Sequence, residues 1–445
     1  MKNRYPKVLI INGEPFNKIS IKSVTLGNLF RDYPKKHLAM VYTTSIAPDY
    51  SVCDKYYKLE LYDVKVLNRL KNLIKRNAVE ERHNQNPDDK DKNSLRGSSW
   101  AFSVKLMVVN AIRSYADIFP YEVSEEMLNW VKLFKPDIIY GYFSSIRFMR
   151  LGIKLSDHFK VPIVPHFMDD WPRTQYTNSL LMPVLRYSLK RSLKGILQRS
   201  PVRLTISDVM TWEYEKRYGG SFTAFMNCVE NQLLVEESLV PDNHGTIIFS
   251  YIGGLHLQRW ESLREIGAGL ASLVKEGYNA KILIYAPSEM VQRYQERLTI
   301  PGVMTVVGAL APADVPLAQR NADCLIHVES FDKEIRRYTK LSVSTKIPEY
   351  MAAGRPVLAF GPQEIGSMKY IEETGCGLVI GQRDRNMIIN ALRQLVESVE
   401  LRRSLGEKGK KAARLMHSGI VQRKLFNEKL SEASNFTVMN GVVHA

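Results

Sequence analysis

The segment between Ser342 and Gly361 brings a cation, a carboxylate and a helix boundary together within a few positions. The pattern predicts a short helix that begins near Thr345 and ends at Gly354, because glycine readily adopts the left-handed conformation that closes a helix. Lys346 and Glu349 are three residues apart and would share one face of its first turn. A cation beside a helix N-terminus attracts phosphate, and a nearby carboxylate can accept hydrogen bonds from a ribose diol. The segment therefore predicts a nucleoside-diphosphate site, with an ordinary surface ion pair as the alternative.

The stretch from Lys346 to Val357, KIPEYMAAGRPV, closely resembles the donor-site signature of nucleotide-sugar glycosyltransferases with the GT-B fold. It is most similar to the retaining enzymes that build bacterial surface polysaccharides and lipopolysaccharide. The resemblance implies two Rossmann-like domains that face each other across a cleft. It also implies a nucleotide-sugar donor on the second domain and a glycan or lipid-linked acceptor on the first.

Other segments extend this resemblance over most of the chain. Ser250–Gly254, followed by Arg259, resembles the strand and glycine-rich turn that open the second domain and face the diphosphate. Lys7–Gly13 resembles the opening strand and loop that meet the sugar diphosphate. The donor-binding residues implied by these matches are Gly13, Gly253, Gly254, Arg259, Lys346 and Glu349.

One position departs from the resembled pattern. Many members of the group carry two glutamates with seven residues between them, the first near the donor sugar and the second on the ribose. Glu349 matches the second glutamate, whereas Leu341 stands at the first position. We therefore expect an altered contact to the donor sugar.

The implied reaction breaks a bond between a sugar and a diphosphate, so negative charge develops on the leaving oxygens. We expect Arg259, Lys346 and the helix N-terminus after Ser344 to stabilise that charge. With two cations in place the reaction needs no metal ion and no cofactor. In a retaining enzyme of this kind the leaving phosphate itself can help to deprotonate the acceptor, so no strong side-chain base is required.

The segment His166–Pro172, HFMDDWP, resembles the acidic segment beside the acceptor cleft. His166, Asp169 and Asp170 are accordingly the candidate catalytic residues that would orient the acceptor hydroxyl. Two adjacent carboxylates also suggest a metal site, although they form a poor cage without further ligands. The alternatives are a helix-capping role for Asp170 and a hydrogen-bonded structural role for His166.

Two further groups precede the signature. Glu329 follows the predicted strand Cys324–Val328, at a strand end that would face the crevice between the domains and make it a donor-binding candidate. A surface carboxylate paired with a nearby basic residue is the alternative. A basic loop follows and could close over the donor phosphates, with a solvated run of charge as its alternative; its members are Lys333, Arg336, Arg337 and Lys340.

Short apolar runs rich in β-branched residues recur along the chain and alternate with amphipathic stretches. This alternation is typical of βαβ units and predicts an α/β protein with parallel sheets. The predicted strands are Lys7–Ile11, His37–Tyr42, Asp137–Tyr142, Val161–Pro165, Leu204–Ser207, Thr246–Ile252, Lys281–Ala286, Met304–Val307, Cys324–Val328, Pro356–Phe360 and Gly377–Val379.

The restart of the pattern after a polar stretch at 230–245 divides the chain. We expect an acceptor-binding domain over residues 1–230 and a nucleotide-sugar-binding domain over 231–435, whose last helices could cross back to the first domain. Residues 436–445 are expected to form a flexible tail, and residues 82–99 a mobile loop.

Basic residues concentrate in the first half. Of the formal charge of +16, residues 1–230 hold 36 Lys and Arg against 23 Asp and Glu, a net of +13. Val184–Arg199 is a basic amphipathic helix without an acidic residue, which suggests contact with an anionic membrane surface. The alternatives are a helix packed on its own domain and a charge excess that only aids solubility.

Composition and motifs exclude several classes of protein. No apolar segment approaches the roughly 20 residues of a membrane-spanning helix, and the four cysteines form no CxxC pair. We expect a cytoplasmic protein with free cysteines, in peripheral contact with the inner face of the plasma membrane. A nucleotide-sugar epimerase and a basic nucleic-acid-binding protein are the alternative functions. No nucleic-acid-binding motif is present, so we expect no nucleic-acid partner. No GxGxxG motif follows the first strand, which disfavours a dinucleotide-dependent oxidoreductase.

Overall fold

The computed structural model describes residues 5–17, 21–59, 117–177, 182–235 and 245–444. The predicted mobile loop at 82–99 and most of the polar stretch at 230–245 lie outside the described residues. None of the described helices is long and apolar enough to cross a bilayer.

The first domain is built on a parallel sheet with the strand order β3-β2-β1-β4-β5-β6-β7. Its strands and helices are β1 Val8–Ile11, α1 Ile21–Phe30, a 3₁₀ turn Lys35–His37, β2 Leu38–Tyr42, β3 Tyr56–Lys58, α2 Glu125–Phe134, β4 Ile138–Gly141, α3 Ile146–Phe159, β5 Ile163–Phe167, α4 Trp171–Thr174, α5 Met182–Gln198, β6 Leu204–Thr205, α6 Asp208–Tyr218, β7 Thr223–Ala224 and α7 Asn231–Val235. The central strands are buried throughout because helices cover both faces of the sheet.

The second domain is built on another parallel sheet, with the strand order β10-β9-β8-β11-β12-β13. Its elements, and those that follow it, are β8 Ile247–Ile252, α8 Arg259–Lys275, β9 Ala280–Tyr285, α9 Ser288–Leu298, β10 Met304–Gly308, α10 Val315–Arg320, β11 Cys324–Val328, α11 Lys333–Thr339, α12 Ile347–Ala352, β12 Val357–Phe360, α13 Gly366–Thr374, β13 Gly377–Ile380, α14 Arg385–Glu397, α15 Val399–Met416, α16 Gly419–Ala433, β14 Thr437–Met439 and β15 Val442–His444. The predicted architecture of two parallel α/β domains is confirmed.

The last helix, α16, packs on the first domain. The Phe426 ring lies edge-on to Phe30 and Tyr140, with ring centroids 5.0 and 5.8 Å apart. Phe426, Leu430 and Ala433 are fully buried in the core of the first sheet. The first domain is therefore completed by residues from the far end of the chain.

Within the segment expected to form a flexible tail, residues 437–444 form a β-hairpin instead. Strands β14 and β15 pair antiparallel, and the Val438 N–H donates to the Lys160 carbonyl at the end of α3. Val438 is fully buried, which anchors the hairpin on the first domain.

The chain crosses between the domains at two places that lie side by side. Val229 and Ser418 form a parallel β-bridge, in which the Val229 N–H donates to His417 and the Gly419 N–H donates to Val229. The Ser418 hydroxyl also donates to the Asn231 side chain over 2.8 Å. The outgoing and returning segments are thus tied to each other.

Candidate active site

The candidate residues of the second domain lie at the carboxyl ends of its strands. The Gly253–Gly254 turn follows β8, Glu329 follows β11, and Lys346 occupies the N-cap of α12. The carboxyl ends of parallel strands meet at one edge of a sheet, where open α/β domains bind their ligands. This edge faces the first domain.

Lys346 is a partly buried cation for which the described residues provide no ion-pair partner. Its ammonium lies 4.9 Å from the Tyr251 ring centroid, and no described carboxylate is within ion-pair distance. The side chain passes so close to Gly253, whose φ is +151°, that a Cβ there would collide with its Nζ. Burial, together with the charge of Arg259, lowers the pKa of Lys346 to about 7. An anionic ligand would supply the missing charge and restore its protonation.

Arg259, the first residue of α8, is held by a buried acid. Its Nη2 lies 3.5 Å from Glu329 Oε2, while His327 Nε2 lies 3.2 Å from Glu329 Oε1. Burial alone would raise the pKa of Glu329, but the Arg259 charge and the His327 contact bring it down to about 2. Glu329 is 2% exposed and so is not the surface carboxylate of the alternative interpretation. Its position orients Arg259, whose Nε remains buried without a partner.

Glu349 is positioned by two amides rather than by Lys346. Asn227 Nδ2 donates to its Oε1 over 3.2 Å, and Gln319 Nε2 donates to its Oε2 over 3.4 Å. Burial raises its pKa. A simple surface ion pair between Lys346 and Glu349 is therefore wrong. Asn227, which also donates to the Thr345 carbonyl over 2.8 Å, comes from the end of the first domain.

Asp169 reaches from the first domain to the second. Tyr338 Oη donates to its Oδ2 over 2.8 Å, and Ser342 Oγ donates to its Oδ1 over 2.9 Å. The carboxylate lines a cavity of about 110 Å³ together with Gly13 and other residues of the first domain and with Tyr338 of the second. Asp169 is thus the candidate carboxylate that faces the interdomain cleft.

Asp170, its neighbour, faces away from this cavity. Its carboxylate is 2% exposed and accepts from Arg217 Nη1 over 2.8 and 3.0 Å and from Tyr214 Oη over 3.2 Å. Burial raises its pKa even though Arg217 opposes the shift. It stands at the N-cap of α4, but its side chain makes no capping hydrogen bond. The structure therefore corrects the catalytic assignment of Asp170: it is the partner of a buried ion pair.

His166 is a buried structural histidine, and its assignment to the acceptor site is also corrected. Its Nε2 contacts the carbonyls of Thr205 and Phe225 at 3.3 and 3.2 Å and so must carry the proton. Its Nδ1 then accepts from the Tyr140 hydroxyl over 2.6 Å. Complete burial lowers its pKa to about 4. The residue is fully buried, and the ring of Tyr142, which lines the Asp169 cavity, lies edge-on to it.

Each domain contributes one glycine-containing loop at a strand end. The Gly13 carbonyl accepts from the Thr43 and Thr44 amides over 3.0 and 3.2 Å, which fixes the loop after β1 beside the Asp169 cavity. The Gly254 carbonyl accepts from Tyr251 Oη over 2.6 Å, which fixes the turn after β8.

Leu341 packs into the core of the first domain, away from the edge of the second sheet that carries Lys346 and Arg259. It is 4% exposed, and its carbonyl accepts from Ser207 Oγ over 2.8 Å. On either side of it, Tyr338 and Ser342 contact Asp169. At the position of the altered sugar contact, the second domain thus offers hydroxyl groups to a carboxylate of the first.

The predicted basic loop is the helix α11 and the residue after it. Arg336 pairs with Glu364 at 3.0 Å and Arg337 with Glu334 at 3.2 Å, and all four side chains are about half exposed. These ion pairs agree with a solvated charge run. The functional candidate from this helix is Tyr338, which the sequence pattern did not single out.

Among the described residues, no group of three or more His, Cys, Asp and Glu side chains is arranged to hold a metal ion. The edge of the second sheet that carries the candidate residues presents the side chains of Lys346 and Arg259.

Comparisons with known proteins agree on the architecture. Residues 246–398 match the family model described as glycosyl transferases group 1. A sequence search of curated proteins finds no match.

Among solved structures, HepE of Anabaena in complex with UDP is 12% identical, with a TM-score of 0.60 over 96% of this chain and 100% of that chain. Sucrose-phosphate synthase from Thermosynechococcus elongatus is 13% identical, with a TM-score of 0.57 over 96% and 98%. WaaG, a glycosyltransferase involved in lipopolysaccharide biosynthesis, is 12% identical, with a TM-score of 0.55 over 95% and 99%. The chain therefore has the GT-B fold, and residues 246–398 form a group 1 glycosyltransferase domain.

Proposed function

We propose that the protein transfers a sugar from a nucleoside-diphosphate donor to a glycan or lipid-linked acceptor. The observation that carries the proposal is the partly buried ammonium of Lys346 beside Arg259, which has no ion-pair partner among the described residues and lies within the group 1 glycosyltransferase domain. Two cations at one strand edge suit a diphosphate. HepE, which shares the fold, has been solved with UDP and with UDP-glucose.

In this proposal the donor lies along the edge of the second sheet that carries Lys346 and Arg259, which we call the donor edge. Lys346 and Arg259 neutralise the charge that develops on the leaving diphosphate, and Glu329 holds Arg259 in place. Glu349 accepts hydrogen bonds from the ribose, with Asn227 and Gln319 fixing its carboxylate. The cleft then needs no metal ion to stabilise the leaving group.

The acceptor binds on the first domain, with its reactive hydroxyl near Asp169. Asp169 lines the interdomain cavity, and Tyr338 and Ser342 fix the direction of its two oxygens. A carboxylate held in this way orients an acceptor hydroxyl. The leaving phosphate takes the proton, as in a retaining reaction.

We place the reaction in the synthesis of bacterial surface polysaccharide, on the cytoplasmic side of the plasma membrane. Support comes from the shared fold of WaaG and from the charge of +13 on residues 1–230. About 1 kcal/mol per Lys or Arg close to an anionic membrane would draw this domain to the surface.

A binding screen of nucleotide sugars by calorimetry tests the proposal. At least one nucleotide sugar should bind to the wild-type protein, and Lys346→Ala should weaken it by about tenfold to a hundredfold, since the lost hydrogen bond joins two charged groups. The exposed Lys340→Ala is the matched control and should bind as wild type. Absence of binding to the wild-type protein, or equal binding by Lys346→Ala, would reject the donor site. Conversion of the bound sugar to an isomer without an acceptor would identify an epimerase.

A further inference from the structure

The first domain contains a cavity that is larger than the Asp169 cavity and separate from the donor edge. It has a volume of about 650 Å³, which lies within the range of small-molecule sites, and we call it the α5–α6 pocket. Helix α5 forms one side, and α4 and the end of α6 form the other. The lining residues are Pro172, Arg173, Arg186, Leu189, Lys190, Leu193, Lys194, Leu197, Gln198, Arg203, Arg217 and Tyr218.

Half of the lining residues are basic and none is acidic. Lys190 and Lys194 are exposed one turn apart, and within the described part of the chain neither ammonium is paired. Arg186 donates to the Pro172 carbonyl over 2.7 Å, and Arg203 donates to the Gly219 carbonyl over 2.8 Å. Carbonyl groups orient these guanidinium groups but do not neutralise them. The pocket therefore holds a positive charge that its own lining leaves uncompensated.

Arg217 is built into the wall of the pocket. Arg217 Nη1 donates to both carboxylate oxygens of Asp170, and Arg217 Nε donates to Glu213 over 2.7 Å. A guanidinium fixed by two carboxylates is already ordered before any ligand arrives, so little conformational entropy is lost on binding. This arrangement gives Asp170 a positioning role in the pocket.

The pocket also offers an apolar surface. Leu189, Leu193 and Leu197 follow one another at helical spacing along its floor. Beyond the floor, α5 exposes Val184 and Tyr187, and these side chains are 57% and 67% exposed. A cationic rim above an apolar floor suits an anion that carries a hydrocarbon chain better than a free sugar phosphate.

The short helix α4 separates this pocket from the interdomain cleft. Trp171 lines the Asp169 cavity, while Pro172 and Arg173 line the α5–α6 pocket. Asp169 and Pro172 are three residues apart, a span of at most about 11 Å. A group bound in the pocket thus lies close enough for a sugar attached to it to enter the cleft.

We propose that the α5–α6 pocket binds the phosphate of a lipid-linked acceptor, that is, a phosphate or diphosphate ester of a hydrocarbon chain. The cations hold the phosphate, the leucine floor receives the first carbons of the chain, and the attached sugar points past α4 to Asp169. This inference rests on the proposed transferase function, since it names the acceptor class of that enzyme.

The test compares three probes on the whole protein: farnesyl phosphate below its micelle concentration, farnesol and inorganic phosphate. Farnesyl phosphate should bind, and the other two should bind roughly tenfold more weakly or worse, because each carries only half of the recognised chemistry. The double variant Lys190→Gln, Lys194→Gln should weaken farnesyl phosphate by roughly tenfold to thirtyfold. The matched control Lys275→Gln, Lys281→Gln, which removes two exposed lysines of the second domain, should bind as wild type.

Three outcomes overturn the inference. Equal binding of inorganic phosphate would make the pocket a simple anion site. Unchanged binding by Lys190→Gln, Lys194→Gln would place the lipid elsewhere. Binding to phosphatidylglycerol vesicles but not to farnesyl phosphate would make α5 a membrane contact rather than an acceptor site.

Nucleotide-sugar binding, measured on the same samples, separates this inference from the proposed function. The pocket variant should keep wild-type affinity for the donor, and Lys346→Ala should keep wild-type affinity for farnesyl phosphate. If no nucleotide sugar binds to any sample, the transferase proposal fails whatever the lipid probe does.

Discussion

The donor edge and the α5–α6 pocket are both cationic, yet they hold their charges in opposite ways. At the donor edge, Lys346 packs against Tyr251 and Gly253, and desolvation together with the charge of Arg259 lowers its pKa to about 7. In the pocket, Lys190 and Lys194 stand in water. A desolvated cation interacts strongly with one charge at one position, whereas solvated cations attract anions over a broad area and are screened by salt. The difference teaches that the charge of +16 cannot be assigned to one task.

The largest effect is expected at Lys346. Lys346→Met should lower kcat/KM for transfer by about a hundredfold to a thousandfold, because a group that stabilises the leaving diphosphate is lost. Steady-state kinetics with the donor found in the screen would measure this. The control Lys333→Met, an exposed residue of α11, should stay within about twofold of wild type. Equal losses in both variants would show that the donor edge is no more specific than a charged surface.

Asp169 and its neighbour Asp170 sharpen the comparison within the first domain. Asp169→Asn should lower kcat by about a hundredfold with little change in donor affinity, since it acts on the acceptor hydroxyl. Asp170→Asn should instead lower the free energy of unfolding by about 3 kcal/mol, because it breaks a buried ion pair with Arg217. Chemical denaturation and kinetics on both variants would separate the two roles. A larger kcat loss in Asp170→Asn would reverse them.

The affinity for the donor should depend on pH, whereas the affinity of the α5–α6 pocket for its ligand should not depend on pH in this way. Above pH 7 the unliganded Lys346 is increasingly neutral, so an anionic donor must bring a proton with it, and its affinity should fall by up to about tenfold per pH unit. Calorimetry at pH 6.5 and 8.5 would measure the change. In Lys346→Arg the guanidinium stays charged, and this dependence should be lost. An equally steep dependence in Lys346→Arg would assign the titration to another group.

A further effect concerns the stability of the protein without ligand. The pKa of Lys346 is lower in the folded state, about 7, than its ordinary value of 10.5, so the unfolded chain binds more protons between these limits. The contribution of Lys346 to the free energy of unfolding therefore rises with pH from about 7 to about 10.5. The difference in stability between wild type and Lys346→Met should follow this rise. A constant difference across that range would mean that Lys346 is not desolvated.

The parallel sheets and the donor signature were predictable because their information is local. Alternating apolar runs define the strands, and Lys346, Glu349 and Gly354 lie within nine residues. The same local argument was wrong for residues 437–444, because their hairpin is anchored by a hydrogen bond from Val438 to Lys160, which is far away in the sequence.

The partners of the candidate residues could not be read in this way. Asn227 lies 122 positions from Glu349 in the sequence, and Tyr338 lies 169 positions from Asp169. The residues that flank Asn227 and Tyr338 in the sequence therefore do not indicate these contacts. His166 and Asp170 were misassigned for the reverse reason. Their chemistry suits a catalytic site, but the fold turns His166 into the core and gives Asp170 a buried arginine as its partner.

The paired crossings at Val229 and Ser418 determine how the cleft can open. A single connecting segment would let the domains rotate about several axes. Two segments bridged to each other act as a hinge with one axis. Opening about that axis would draw Tyr338 and Ser342 away from Asp169 together. On closing, the hydrogen bonds from Tyr338 and Ser342 to Asp169 would form again together. Each cycle of substrate entry and product release would therefore return the Asp169 carboxylate to the same orientation.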